Sequence, residues 1–176
     1  MMKKYILSAM LATSALVATS ALLAGSALAG EAKVTWQNPD SYTDIRPGNQ
    51  TKAGFEARVF KGLDEVFDKL ARQLPDGYKL LINVTDVDLA GDVRPGRGPG
   101  GQDIRIVRDI DWPRMSFSYV LNNAQDQQVV AGKEDLKDIN FRSGIGINTS
   151  DSFYYEENML KDWFNKQQQK KVFPTK

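Results

Sequence analysis

The stretch TKAGFEARVFKGLDEVFDKLARQLPDGYKLLINVTDVDL, residues 51–89, carries two periodicities in succession. In its first part Phe55, Val59, Leu63, Phe67, Leu70 and Leu74 recur every three or four residues. That spacing lines one face of an α-helix with apolar groups. Thr51 is a plausible N-cap, and Pro75-Asp76-Gly77 supplies the stop. Beyond the stop the period falls to two. From Tyr78 to Leu89, Leu80, Ile82 and Val84 alternate with other residues, which reads as a strand with one buried face. Gly54 and Gly62 weaken the helix locally, so its apolar stripe must gain stability by docking, and the strand that follows offers the surface.

Outward from this pair the pattern extends both ways. Val34-Thr35-Trp36 is a short β-prone run before the helix, ended by Asn38-Pro39-Asp40-Ser41. After it, Gly91 to Gly101 reads as a Pro/Gly-rich loop and Ile104 to Val107 resumes strand character. Met115, Phe117, Tyr119 and Leu121 then alternate with Ser116 and Ser118, and Asn122 to Asp126 forms a hairpin connection to Gln127–Ala131. Residues 133–150 are ambiguous, with Leu136, Ile139 and Phe141 as expected core contacts. Tyr155, Met159, Leu160, Trp163 and Phe164 make a second helical stripe, entered through Asp151-Ser152. The polar segment Gln167 to Lys176 reads as a frayed tail. The order β-α-β-β-β-β-α predicts an α+β fold. Its expected form is a mainly antiparallel sheet of four or five strands, with both helices on one face.

The amino terminus sets the expected address. Lys3-Lys4, an apolar run from Tyr5 to Leu23, and Ala27-Leu28-Ala29 before Gly30 have the three-part logic of a secretory signal peptide. Cleavage is expected between Ala29 and Gly30, leaving residues 30–176 as one domain with an ordered core over 32–169. Leu22-Leu23-Ala24-Gly25-Ser26 has the outline of a lipoprotein box with a hydroxyl where the lipidated thiol belongs, so no stable membrane anchor is expected. The expectation is a periplasmic or secreted protein.

Composition then removes chemistry. The chain has no cysteine and no histidine. That excludes thiol nucleophiles, disulfides, thiolate metal sites and every mechanism built on imidazole. Loss of Lys3 and Lys4 with the leader leaves 21 basic against 22 acidic side chains, a net charge of −1. Such a balance gives no electrostatic case for nucleic acid. Gly96-Arg97-Gly98-Pro99-Gly100-Gly101 matches the spacing of a dinucleotide loop, but strand rather than helix follows and Pro99 removes an amide.

The remaining polar signal lies between residues 86 and 114. Asp86 and Asp88 sit two apart at a strand end and so share a face, with Asp92 just beyond. Three oxygen donors this close suit calcium, although the EF-hand spacing is absent. Arg94, Arg97, Arg105, Arg108 and Arg114 alternate with Asp92, Asp103, Asp109 and Asp111, the pattern of ion pairs on a solvated face.

Several of these segments carry a family likeness. Val34-Thr35-Trp36, Leu74-Pro75 and Thr85-Asp86-Val87-Asp88-Leu89-Ala90-Gly91 resemble the exported bacterial family called domain of unknown function 3016. The likeness continues through residues 104–110, Pro113-Arg114, Phe117-Ser118-Tyr119, Tyr155-Glu156 and Met159 to Trp163. The hairpin Asn123-Ala124-Gln125-Asp126 departs from the family's acidic turn. The resemblance implies export and supplies no catalytic residue.

Two functions are therefore in view. The first is a noncatalytic binding or accessory module of the envelope. It would recognise a partner protein, peptide or small ligand through Asp86, Asp88, Asp92, Arg94 and Arg97, with no cofactor and no resident metal. The second is a carboxylate-dependent hydrolase or lyase, or a calcium-binding module, using Asp86 and Asp88.

Overall fold

The computed structural model describes residues 29–143 and 153–176. The signal-peptide reading and the Asp151-Ser152 helix entry therefore fall almost wholly outside the described residues. The fold is α+β. A four-stranded sheet has the order β1 (Glu31–Trp36), β2 (Lys79–Asp88), β5 (Arg114–Asn122), β6 (Gln128–Lys137), and a separate two-stranded sheet pairs β3 (Asp92–Arg94) with β4 (Ile104–Ile106).

β1 (Glu31–Trp36) leads through α1 (Lys52–Ala71) to β2 (Lys79–Asp88). β1 and β2 lie parallel, so the sheet is mixed rather than wholly antiparallel. Parallel neighbours need a long crossover, and the 20-residue α1 is that crossover. Thr51 Oγ1 accepts from the Gly54 amide at 3.3 Å and caps α1 as its sequence implies. All six residues of the predicted stripe are buried. They meet Leu80, Ile82, Val84 and Val87 of β2, and Met115, Phe117, Tyr119 and Leu121 of β5 (Arg114–Asn122), in one apolar cluster. α2 (Tyr154–Gln169) joins the same cluster through Met159, Leu160, Trp163 and Phe164. Trp163 stands edge-on to Phe117 with ring centroids 4.9 Å apart.

Four details correct the sequence reading. Within the segment read as a loop, Asp92–Arg94 forms β3, which pairs antiparallel with β4 (Ile104–Ile106) outside the main sheet. β6 (Gln128–Lys137) runs ten residues, well past Ala131. Its apolar alternation is masked because two core-side positions are Gly132 and Glu134. Gly132 lies under the Tyr119 ring, where a Cβ would meet the hydroxyl at 2.7 Å. Glu134 accepts from Gln167 Nε2 at 3.0 Å. Ile139, expected in the core, is 57% exposed, whereas Leu136 packs on the core and Phe141 is buried.

The fourth correction is the tail. It does not fray, because Phe173 is buried against Tyr119, Trp163 and Phe164. Lys171 adopts φ 59° just past the end of α2. The amides of Lys171 and Val172 then bond back to the carbonyls of Gln168 and Gln167, each at 2.9 Å. This is the paired reversal that usually recruits glycine at its left-handed position. A lysine there hides the signal.

Candidate functional site

At the far end of β2 three chain segments converge. Tyr42 donates its buried hydroxyl to the Val84 carbonyl at 3.0 Å, and burial pushes its pKa up to about 12. The next residues then run beside β2: the Asp44 amide donates to Val87 O at 3.0 Å, and Leu89 N donates to Asp44 O at 3.1 Å. The third segment is residues 110–114, leading into β5. Between the three lies a cleft of about 230 Å³ whose lining includes Asp44, Asp88, Asp92, Ile110, Trp112 and Arg114.

The charges around it are organised by one guanidinium. Arg105, on β4, donates to both oxygens of Asp44 at 3.1 and 3.3 Å, to Gly91 O at 2.9 Å and to Arg46 O at 3.2 Å. Arg46 adds its own amide and Nε to Asp44 at 3.0 and 3.1 Å, and reaches Asp92 at 2.8 Å. Burial alone would raise the Asp44 pKa, but the bonds from Arg105 and Arg46 outweigh it and hold the group below the ordinary carboxylate value. Asp111 is likewise held low, first by its hydrogen bonds from Arg108, both at 2.7 Å.

Asp88 behaves in the opposite way. Its ion-pair partner, Arg114 Nε, stands 3.7 Å away, outside hydrogen-bond range. Burial raises its pKa, and the nearby Asp44 and Asp86 charges add to the rise against the pull of Arg114. The cleft thus holds one weakly paired carboxylate among several tightly paired ones. Above it Ile110 is 63% exposed, and Trp112 carries Lys137 Nζ 4.1 Å from its ring centroid.

The five predicted residues separate. Asp88 and Asp92 line the cleft. Asp86 is engaged by Thr43, which donates from its amide at 2.6 Å and its hydroxyl at 2.7 Å. Arg94 folds back on Asp92 at 3.1 Å. Arg97 is exposed in the glycine-rich turn and has no ion-pair partner among the described residues. Strand β4, not a helix, follows that turn. Among the described residues no group of three or more acidic side chains clusters closely enough to hold a metal ion, so Asp86, Asp88 and Asp92 do not converge as calcium would require. The sequence reading missed Asp44, Arg46, Trp112 and the central role of Arg105. A tryptophan in a charge-dense turn was the one available signal.

A raised carboxyl pKa has a stability consequence. At pH values above the folded-state pKa of Asp88 its ionised form is disfavoured by the fold. Below the ordinary value of 3.8 both states are neutral and the penalty vanishes. Asp88→Asn is therefore expected to match or exceed the wild-type urea midpoint at pH 7, and to lose any advantage at pH 3.5. A midpoint clearly below wild type at pH 7 would show instead that the Arg114 pairing is net stabilising.

These features define an α+β protein: a mixed sheet covered on one face by two helices, with a charged cleft at one end of its strands. Over residues 30–166 it matches the family described as "Protein of unknown function (DUF3016)", and the chain belongs to that family. Searches of curated proteins and of solved structures returned no match.

Proposed function

We propose that this chain is an exported, noncatalytic binding module of the bacterial envelope, and that a small polar ligand seats in the cleft at the end of β2. The observation that carries this reading is Asp88, a cleft-lining carboxylate whose only ion-pair partner among the described residues is 3.7 Å away. It has acceptor capacity to spare for a ligand hydroxyl or amine, while Ile110 and Trp112 offer an apolar wall. The volume, about 230 Å³, lies below the usual range for drug-sized ligands, roughly 300–1,000 Å³. It suits a small solute or the end of a longer one.

Export is supported by the leader pattern and by the extent of the family match. Gly30, the first residue after the expected cleavage point, is buried where any Cβ would collide with the Ala71 carbonyl. The family match starts at the same residue. Among the described residues no helix is long and apolar enough to cross a membrane.

A second reading deserves a test because the cleft pairs a raised Asp88 with the lowered Asp44 and Asp111, the divergence that marks acid and base roles in carboxylate enzymes. Against it, both oxygens of Asp44 are already bonded and its side chain is only 7% exposed. It is poorly placed to attack or to activate water. The discriminating experiment captures small molecules from periplasmic extract on the wild-type chain, on Asp88→Asn with Trp112→Ala, and on Arg94→Ala with Arg97→Ala. Loss of the captured species in the Asp88/Trp112 variant alone supports the cleft. Loss only in the arginine variant moves recognition to the glycine-rich loop. Release of a chemically altered species, abolished by Asp88→Asn, favours catalysis.

A further inference from the structure

The two edges of the main sheet are treated differently by the fold. On β1 the outward Ala32 amide is taken by Asp68 Oδ1 of α1 at 3.3 Å, and the Trp36 side chain reaches Asp64 through Nε1 at 3.2 Å, so the helix occupies part of that edge. On β6 nothing among the described residues pairs with the outer edge, although the strand is ten residues long.

The direction of its free groups follows from the ladder. Asp138 N donates to Pro113 O at 3.2 Å, and the β5–β6 register is unbroken from Arg114↔Lys137 to Leu121↔Val130. Antiparallel alternation then turns the backbone groups of Leu136, Glu134, Gly132 and Val130 toward β5. Those of Ala131, Lys133, Asp135 and Lys137 point outward, free to bond another strand.

Beside this edge runs a groove of about 190 Å³ between β6 and the flank of α2. Leu136, Met159 and Trp163 lie in its lining, and no β5 residue does, so it opens away from the sheet interior. Trp163 is 4% exposed, and its buried Nε1 has no acceptor among the described residues. Three lysines and three carboxylates share the rim, which leaves no charge preference. The groove is too small for a typical small-molecule site but has the dimensions of one large side chain.

We propose that the outer edge of β6 and the adjoining groove form a docking site for an extended segment of a partner protein, which adds as a fifth strand. The partner segment is near neutral and apolar at alternate positions. Its backbone pairs with Ala131, Lys133, Asp135 and Lys137. Every second side chain turns toward α2, one of them entering the groove against Met159 and Trp163. Main-chain bonds supply affinity and the groove supplies selectivity in this mode of recognition. Lys133 and Lys137 point to the uncovered sheet face and discourage indiscriminate pairing, the usual service of lysine on an edge. This site is separate from the cleft at the end of β2 and does not depend on it.

The probe is a capped synthetic copy of Arg114–Asn122, the segment β6 already pairs with on its inner edge, whose Met115, Phe117, Tyr119 and Leu121 alternate as required. Amide exchange of the mature chain is followed by NMR with and without it. The expected result is slowed exchange at Ala131, Lys133, Asp135 and Lys137. Binding should weaken about tenfold or more in Lys133→Pro, which removes an outward amide and spares the β5 ladder. N-methylation of alternate amides in the probe should have the same effect, and this comparison leaves the protein itself unaltered. The proposal is overturned if the peptide slows none of the four amides, or if the N-methylated probe binds equally well. It is also overturned if the peptide-free chain already protects them and sediments as a dimer, since the occupant would then be a second copy. Capture of small molecules in the β2 cleft is expected to be unchanged by Lys133→Pro, so the two readings stand or fall separately.

Discussion

Arg105→Met is expected to lower the unfolding free energy by about 3 kcal/mol, seen as a large drop in urea midpoint at pH 7. One guanidinium joins three segments at a single point: it bonds Asp44, the Arg46 carbonyl and the Gly91 carbonyl from its place on β4. Methionine fills much of the same volume but leaves Asp44, 7% exposed, with Arg46 alone as counterion. Removing one partner of a buried pair costs about 3–5 kcal/mol because the other charge is left uncompensated. Arg46 is largely exposed and retains part of the interaction, which puts the expectation at the low end. The pH dependence follows the same logic. Asp44 titrates below its ordinary 3.8 in the folded protein, so its contribution is present above that value and is lost as pH falls through the folded-state pKa. Wild type and variant should therefore converge in acid. A loss below about 1 kcal/mol at pH 7 would mean that the network is no more than a surface pairing.

Phe173→Ala should cost about as much, roughly 3–5 kcal/mol, although only three residues follow it. Its ring is 1% exposed and meets Tyr119, Phe164 and Trp163 at centroid distances of 5.4, 5.4 and 5.5 Å. Truncation opens a cavity beneath α2 that the surrounding rings, already packed edge-on to one another, can fill only in part. Truncating the chain after Lys171 should reproduce the loss, whereas Lys176→Ala, which removes only a pairing of two half-exposed groups with Asp76, should be nearly silent. Thermal unfolding of the three variants checks the ordering. If Phe173→Ala melts with wild type, the tail does not contribute to the core.

The helices and the two central strands were readable because each carries its own period. The α1 stripe and the alternation in β2 and β5 need no partner to be recognised. What the sequence left obscure depends on particular contacts. β6 places Gly132 under a tyrosine ring and Glu134 against Gln167 where a strand would normally show apolar residues. The tail turns on Lys171 in a conformation that normally announces itself as glycine. β3 is three residues long, too short for any period.

The cleft was the least legible feature for a different reason. Its lining comes from residues 43–46, 88–92 and 110–114, brought together by tertiary pairing alone. Asp88 and Asp92 were found through local acid density, whereas Asp44 stands between ordinary loop residues and gives no local signal. Asp86 satisfied the same sequence criterion as Asp88, yet Thr43 occupies both its oxygens. Spacing placed two carboxylates on one face, and a neighbouring segment decided which of them stayed available.

The reading of the protein rests on the cleft being a binding site rather than a reaction centre. The direct measurement is amide chemical-shift mapping of the mature chain, titrated with the small-molecule fraction it captures from periplasmic extract. Shifts concentrated at Asp44, Asp88 to Asp92 and Ile110 to Arg114, with the captured molecule recovered intact, are the predicted result. Shifts centred elsewhere, or conversion of the molecule during the titration, would contradict it.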